Sequence, residues 1–272
     1  MSMSTKVEEV ALGGSAKPKL SERIFYPVDA RGQPKIPMIY MGIGFAMMFI
    51  GSLSYRLYQH YFSFDFGLDY FEADFQIYWM NLLKAQLIVI AVFGIWALHW
   101  VWKTRERTLD DYRSRPPLAR YYLIFGTLAL ASFSKLTALG LFAEADAAWH
   151  QVTIRDTDFT PTHIGLFYFM MPLDVVGMVF VLIWVHTRLP DFKNRLSVPL
   201  LMVVTGPFLI LPNLGFNEWG HTFFYAEELF AAPIHWGFVV LGWMFFGMVG
   251  FILQCLSRVS KLTSFQSATI AH

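Results

Sequence analysis

Charged residues and cysteine are scarce in this chain of 272 residues. Asp, Glu, Lys and Arg make up 15% of it, against about 25% in a typical soluble domain. The single cysteine, Cys255, excludes an intrachain disulfide framework and any cysteine-rich zinc or iron–sulfur site. The formal net charge of +1 gives no electrostatic reason to expect a nucleic-acid partner.

Hydrophobic residues, by contrast, make up 56% of the chain. They fall in runs of roughly twenty residues separated by short charged segments, the pattern of helices that cross a ~30 Å hydrocarbon layer. We therefore predict an all-α polytopic membrane protein with about six transmembrane helices. The predicted spans are 36–55, 77–102, 120–142, 162–186, 197–215 and 232–256. The fifth is the least regular, because Pro207 and Pro212 would kink or end it.

The polar ends of the chain divide it into three parts. Residues 1–35 form a polar N-terminal segment that we expect to be partly disordered or interfacial, without the apolar core of a cleaved signal peptide. Residues 36–256 form the transmembrane helical domain, and residues 257–272 form a C-terminal tail.

The loops alternate in charge. Both termini and the loops after the second and fourth spans are rich in Lys and Arg, whereas the other three loops are acidic. The positive-inside rule then places both termini in the cytoplasm and the three acidic loops on the outer face. The regular alternation also supports the count of six spans.

Three residues with metal-ligand side chains flank the second acidic loop. Asp146 and His150 are four residues apart, so on a helix they share one face. His163 stands at the start of the fourth span, where Thr160 and Pro161 suit an N-cap and a first-turn proline. One carboxylate and two imidazoles form a reasonable copper or zinc site with an open position. The alternative is that these residues are merely tolerated at a membrane interface.

The third acidic loop repeats the arrangement. Asn217 and His221 are again four residues apart, and His235 opens the sixth span just after a proline, Pro233. Two similar clusters on one face favour metal binding over chance, but their spacing does not choose the metal.

Three charged residues lie within the predicted spans: Lys84, Lys135 and Asp174. Unpaired charge at membrane depth costs at least ~2.5–3.5 kcal/mol. Lys135 and Asp174 lie at similar depth on consecutive antiparallel spans, so we predict that they form an ion pair. A proton path is the alternative role.

Four segments are specific enough to resemble a known family: RDTDFTPTHI (155–164), TRLP (187–190), GPFLILPNLGFNEWGHTF (206–223) and EELFAAPIHWGF (227–238). They resemble the C subunit of the copper-containing membrane monooxygenases, which oxidise methane, ammonia or short hydrocarbons. The resemblance spans residues 36–256. It implies a helical membrane subunit that works with an A and a B subunit, typically as a trimer of three-subunit protomers.

The resemblance also implies copper and its ligands. Asp146, His150 and His163 match one copper site of the family, and Asn217, His221 and His235 match a second. Either set is then a candidate catalytic site that uses O₂ and an external electron donor to hydroxylate a small apolar substrate drawn from the lipid. The expected location is a bacterial inner or intracytoplasmic membrane, with the metal sites toward the periplasmic face.

One position departs from the family pattern. Members that oxidise methane or ammonia usually carry a glutamate three residues after the helix-start histidine, where this chain has Leu166. The change makes the surroundings more apolar and weakens a direct transfer of the substrate from those members. It fits a divergent member that acts on hydrocarbons, so methane or a short-chain alkane is the expected substrate. Ammonia oxidation to hydroxylamine is the alternative, and a non-catalytic structural subunit is a further one.

Other protein classes fit the sequence less well. A bis-histidine haem protein would place its histidines at matched depths from both leaflets, whereas the clustered ones here all lie toward the outer face. Di-iron membrane hydroxylases use HxxxH and HxxHH boxes, and the chain contains neither string. A further alternative is a transporter or scaffold whose polar loops only hold partners. The metal content of the purified protein would distinguish it from a metalloprotein.

Overall fold

The computed structural model describes residues 19–30, 32–107, 117–152, 159–206 and 231–270, with the backbone alone at 139, 143–152, 231–241 and 265–270. The described residues form α-helices and no β-strand. In chain order these are α1 (Leu20–Phe25), α2 (Met38–Phe66), α3 (Ala73–Lys103), α4 (Pro117–Val152), α5 (Pro161–Arg188), α6 (198–206) and α7 (Ala231–Ile270). The prediction of an all-α protein is therefore confirmed.

Five of the described helices are long and apolar enough to cross a membrane: α2, α3, α4, α5 and α7. Each corresponds to one of the predicted spans. The remaining predicted span, 197–215, is helical over 198–206, and its two prolines lie outside the described residues. The count of six spans and the cytoplasmic termini therefore stay predictions.

Three helices, α2, α4 and α7, extend well beyond the ends that hydropathy predicts, and α7 continues to Ile270 rather than ending at residue 256. The second acidic loop was expected to begin after residue 142, but α4 continues to Val152 because residues 143–152 include four Ala, the residue that most favours helix. Helix α2 continues to Phe66 rather than ending at residue 55. Its last turns carry polar residues that lower hydropathy, yet Gln59 and Ser63 are buried against other helices.

At one end of the bundle, two arginines join α3, α4 and α5. The Arg120 guanidinium donates two hydrogen bonds to Glu106, at 2.8 and 2.6 Å, and one to the Arg188 carbonyl oxygen at 2.7 Å. Arg188 in turn donates to the Val101 carbonyl oxygen and to Thr104. A hydrophobic core that includes Tyr121 and Phe251 lies beside this network. We refer to this end as the arginine end.

Aromatic side chains hold the opposite end of the bundle. Phe75 and Trp79 of α3 form a buried cluster with Ile164 of α5, and Tyr58 of α2 packs against it. The Trp79 indole donates to the Phe62 carbonyl oxygen at 3.3 Å. Because α2 ends and α5 begins here, this cluster determines where the first turn of α5 lies.

Between the two ends, an ion pair crosses from α4 to α5. Lys135 Nζ lies 2.9 Å from Asp174 Oδ2, so the predicted pair is confirmed. The side chains are 29% and 37% exposed in the isolated chain.

Two of the helices contain a π-helical turn, at Gln76–Met80 in α3 and at Leu166–Met170 in α5. Such turns hold one residue more than an α-turn and occur frequently at functional sites.

Candidate functional site

The six predicted ligands differ in how far the structure describes them. His163 lies in the first turn of α5, and its side chain is described. Asp146 and His150 lie on the last turns of α4 and His235 on α7, where the backbone alone is described. Asn217 and His221 lie outside the described residues. The structure therefore characterises one ligand position in detail and the helical placement of three more.

Thr160 and Pro161 fix where α5 begins. Thr160 is the N-cap, in extended conformation, and its hydroxyl oxygen accepts a hydrogen bond from the His163 backbone N–H at 3.2 Å. Pro161 occupies the first helical position, which tolerates proline because no N–H is needed there. Both roles were predicted from the sequence, and both are confirmed. His163 thus has a defined place in the helix.

His163 is deeply buried, with both polar and apolar residues around it. Its side chain is 1% exposed, its neighbours Thr162 and Ile164 are fully buried, and its ring centroid lies 4.7 Å from that of Phe167. Bulk water is therefore excluded from the imidazole, which strengthens any electrostatic interaction that it makes.

Helix α2 supplies the polar support for this first turn. The Tyr55 hydroxyl donates to the Pro161 carbonyl oxygen at 3.1 Å, and the Gln59 side-chain amide donates to the Thr162 hydroxyl at 2.6 Å. These contacts were missed at the level of sequence because α2 was not expected to continue as a helix beyond residue 55. The signal that could have found them is the spacing of Tyr55, Gln59 and Ser63, four residues apart on one face of a helix.

Helix α4 brings the other candidate ligands close to the same turn. Its backbone packs against the Pro161–Gly165 turn. Phe142 of α4 is fully buried, and its ring lies edge-on to Tyr55 with centroids 5.6 Å apart. Asp146 is one helical turn beyond Phe142, and His150 is one turn further. The fold therefore places Asp146, His150 and His163 on neighbouring turns at the same end of the bundle.

This placement fits a metal site of one carboxylate and two imidazoles. A buried imidazole on a fixed helix start would provide one ligand, and two residues four apart on the adjoining helix would provide the others. Among the side chains that the structure describes, no three His, Cys, Asp or Glu residues lie close enough to hold a metal. A complete set of metal ligands would therefore need the side chains of Asp146 and His150 on α4, which lie outside the described part of the structure.

Leu166 opens the π-helical turn that follows His163. The position at which related sequences usually carry a glutamate is therefore apolar here and directly follows the buried first turn. Leu166 therefore offers no carboxylate side chain to a polar ligand at this position.

Comparison with known proteins identifies the family of the chain. No curated protein sequence matches it. Residues 30–266 match the family described as the C subunit of ammonia monooxygenase and methane monooxygenase. That match covers nearly the whole chain, including all six candidate ligands. The chain therefore belongs to the family of C subunits of the ammonia and methane monooxygenases, and it is a subunit of a membrane monooxygenase.

Proposed function

We propose that this chain is the copper-bearing C subunit of a complex that uses O₂ to hydroxylate a small apolar substrate, methane or a short-chain alkane. The observation that carries the proposal is His163, buried at a capped helix start that packs against the helix bearing Asp146 and His150. Imidazole and carboxylate together suit copper. When bound, copper supplies the one-electron redox chemistry that activation of O₂ requires.

The residues of the chain contribute binding, orientation and exclusion of water. Asp146, His150 and His163 would hold one copper ion, and Asn217, His221 and His235 would hold a second. The buried surroundings of His163 keep water from the imidazole. The hydrogen bond from the His163 backbone N–H to Thr160 fixes the position of this residue in the helix. The electrons that the reaction requires would come from a donor outside this chain.

Leu166 is the reason to favour an alkane. Apolar surroundings next to the first turn of α5 favour a substrate without charge or hydrogen-bonding groups, because a buried polar group without a partner is costly. Ammonia is the second candidate substrate, since the family includes ammonia monooxygenase. A non-catalytic structural role in the complex is the third alternative.

The proposal includes partners and location. A and B subunits of the same monooxygenase would complete the complex as a trimer of heterotrimers, surrounded by lipid. The membrane would be a bacterial inner or intracytoplasmic membrane, with the copper sites toward the periplasmic face. The apolar helices α2 to α5 and α7 support membrane insertion.

Metal analysis of the purified complex tests the copper site. His163→Ala, alone and with His150→Ala, should reduce the copper bound per complex while the subunits still assemble. Asn217→Ala and His221→Ala test the second site in the same way. Unchanged copper in all of these variants would show that this chain does not bind the metal and would leave the structural role.

Oxygen uptake by native membranes tests the substrate. Methane, ethane, butane and ammonia are offered in turn, with and without added copper. We expect an alkane to give the fastest uptake, and we expect Leu166→Glu to lower the preference for it. Faster uptake with ammonia would assign the chain to the ammonia-oxidising branch instead.

A further inference from the structure

Helix α2 carries a stripe of polar residues that faces the first turn of α5. We define the α2 polar stripe as Ser52, Tyr55, Gln59 and Ser63, spaced three or four residues apart. Ser52, Gln59 and Ser63 are 4%, 2% and 3% exposed. Buried polar groups within a membrane-spanning helix are costly unless they are hydrogen-bonded, so a stripe of them indicates a specific role.

Two members of the stripe bond to the two residues that directly precede His163. Tyr55 donates to the Pro161 carbonyl oxygen and Gln59 donates to the Thr162 hydroxyl. The end of α2 adds a third contact, because an added Cβ at Gly67 would lie 2.8 Å from the Pro161 ring. The backbone on the N-terminal side of His163 is therefore held from α2 as well as by its own N-cap.

A π-helical turn directly follows the residues that α2 contacts. Residues Leu166–Met170 separate the first turn of α5 from the long α-helix that begins at Met171. The position of His163 is therefore set by more than the packing of the remainder of α5. It depends on what holds the Pro161–Gly165 turn.

Tyr55 also contacts the other ligand-bearing helix. Its ring lies against Phe142 of α4, one helical turn before Asp146. One side chain thus touches both α4 and the start of α5, the two elements that carry Asp146, His150 and His163.

We propose that Tyr55 and Gln59 are positioning residues that hold the His163 turn against α4 and so bring the three candidate ligands into one site. Neither residue touches the metal; both act through the backbone and the Thr162 hydroxyl. The proposal rests on the proposed function, because it assumes that His163 is a ligand.

The chain offers a matched control for the hydroxyl of Tyr55. Tyr58 is also on α2, and its hydroxyl donates to a backbone carbonyl at 2.9 Å, but the acceptor is Tyr78 of α3. Tyr58→Phe and Tyr55→Phe therefore remove the same group and the same kind of hydrogen bond from one helix. The two variants differ in whether the lost bond reaches α5.

The test compares Tyr55→Phe, Gln59→Leu and their double variant with Tyr58→Phe in the purified complex. Copper retained against a competing chelator and the electron paramagnetic resonance spectrum of Cu(II) are measured for each. We expect the double variant to bind copper on the order of tenfold more weakly, as is typical when groups that orient a ligand are lost. The spectrum should shift in the double variant, while Tyr58→Phe matches the wild type.

His163→Ala separates the two proposals. If His163→Ala loses copper but the double variant retains it with an unchanged spectrum, the positioning role is overturned and the proposed function stands. If His163→Ala retains all copper, the copper site of Asp146, His150 and His163 and the positioning role both fail. Should the double variant not assemble, Tyr55→Phe alone decides, because it removes a single oxygen atom and leaves the aromatic packing.

Discussion

At the scale of single residues, Gly165 shows how closely α2 and α5 approach each other. A Cβ added at this position would overlap the ring of Tyr55. Gly165→Ala should therefore displace the ring and lower the free energy of unfolding by about 1–3 kcal/mol. Gly177 lies on the same helix, and a Cβ there would meet nothing within 4 Å. The thermal unfolding midpoint of the purified complex should fall for Gly165→Ala and not for Gly177→Ala.

Thr160 is a second residue whose effect is local. Thr160→Ala removes the hydroxyl that caps α5, and the loss of an N-cap costs about 0.5–2 kcal/mol. Thr160→Ser keeps the acceptor oxygen and should unfold near the wild-type temperature. Equal unfolding midpoints for the alanine and serine variants would show that the cap contributes nothing measurable.

The contrast between Thr160 and Gln59 shows what sequence can and cannot predict at this scale. Thr160, Pro161 and His163 are neighbours, and helix capping depends on local chemistry, so their arrangement follows from the sequence. The partner of Gln59 is Thr162, far away in the chain, and that contact exists only once α2 and α5 are packed together. No pattern within either segment identifies the pair.

At the scale of helices, the ion pair between Lys135 and Asp174 links α4 to α5 in the middle of the bundle. Asp174→Asn would leave Lys135 unpaired at membrane depth, at a cost of about 2.5–3.5 kcal/mol. We expect a clear fall in the unfolding midpoint of the complex. Lys135→Asp combined with Asp174→Lys should recover at least half of that loss.

Lys84 provides the control for this prediction. It is another lysine within a span, but it is exposed, and it donates at 3.4 Å to Asn81 of its own helix. Lys84→Met should change the free energy of unfolding by less than about 0.5 kcal/mol. If Asp174→Asn were as mild as Lys84→Met, the pair would not stabilise the packing of α4 against α5.

The existence and order of the helices were predictable because hydrophobic runs reveal spans directly. Their ends were not, because hydropathy treats Gln59 and Ser63 as solvent-exposed, whereas packing buries them. The pairing of Lys135 with Asp174 was predictable from depth alone, since two opposite charges on consecutive spans each need a partner. The π-helical turns left no signal in composition, because they depend on how neighbouring helices constrain the backbone.

At the scale of the whole molecule, the predicted orientation gives opposite exposure to two short loops. Glu72 lies between α2 and α3 and is expected outside, whereas Asn194 lies between α5 and α6 and is expected inside; both are exposed in the chain. The only native cysteine, Cys255, is buried and can be replaced by serine. Glu72→Cys and Asn194→Cys can then be compared in that background.

Labelling with a membrane-impermeant maleimide measures the orientation in right-side-out vesicles. Glu72→Cys should react in intact vesicles, and Asn194→Cys should react only after the membrane is permeabilised. The reverse result would invert the predicted topology and place the first turn of α5 on the cytoplasmic side. Labelling of both sites in permeabilised vesicles confirms that neither is covered by another subunit.

The π-helical turn in α5 holds one residue more than the α-turns on either side of it. Removing a single residue from Leu166–Met170 would convert the turn to α-helix with His163 and Asp174 close to their present relative orientation, whereas a deletion in a regular α-turn would rotate His163 by about 100° around the axis. The ion pair with Lys135 and the arginine end would keep their places. The π-helical turn is therefore the place in α5 where the chain can lose one residue with the least change in the position of His163 relative to the ion pair.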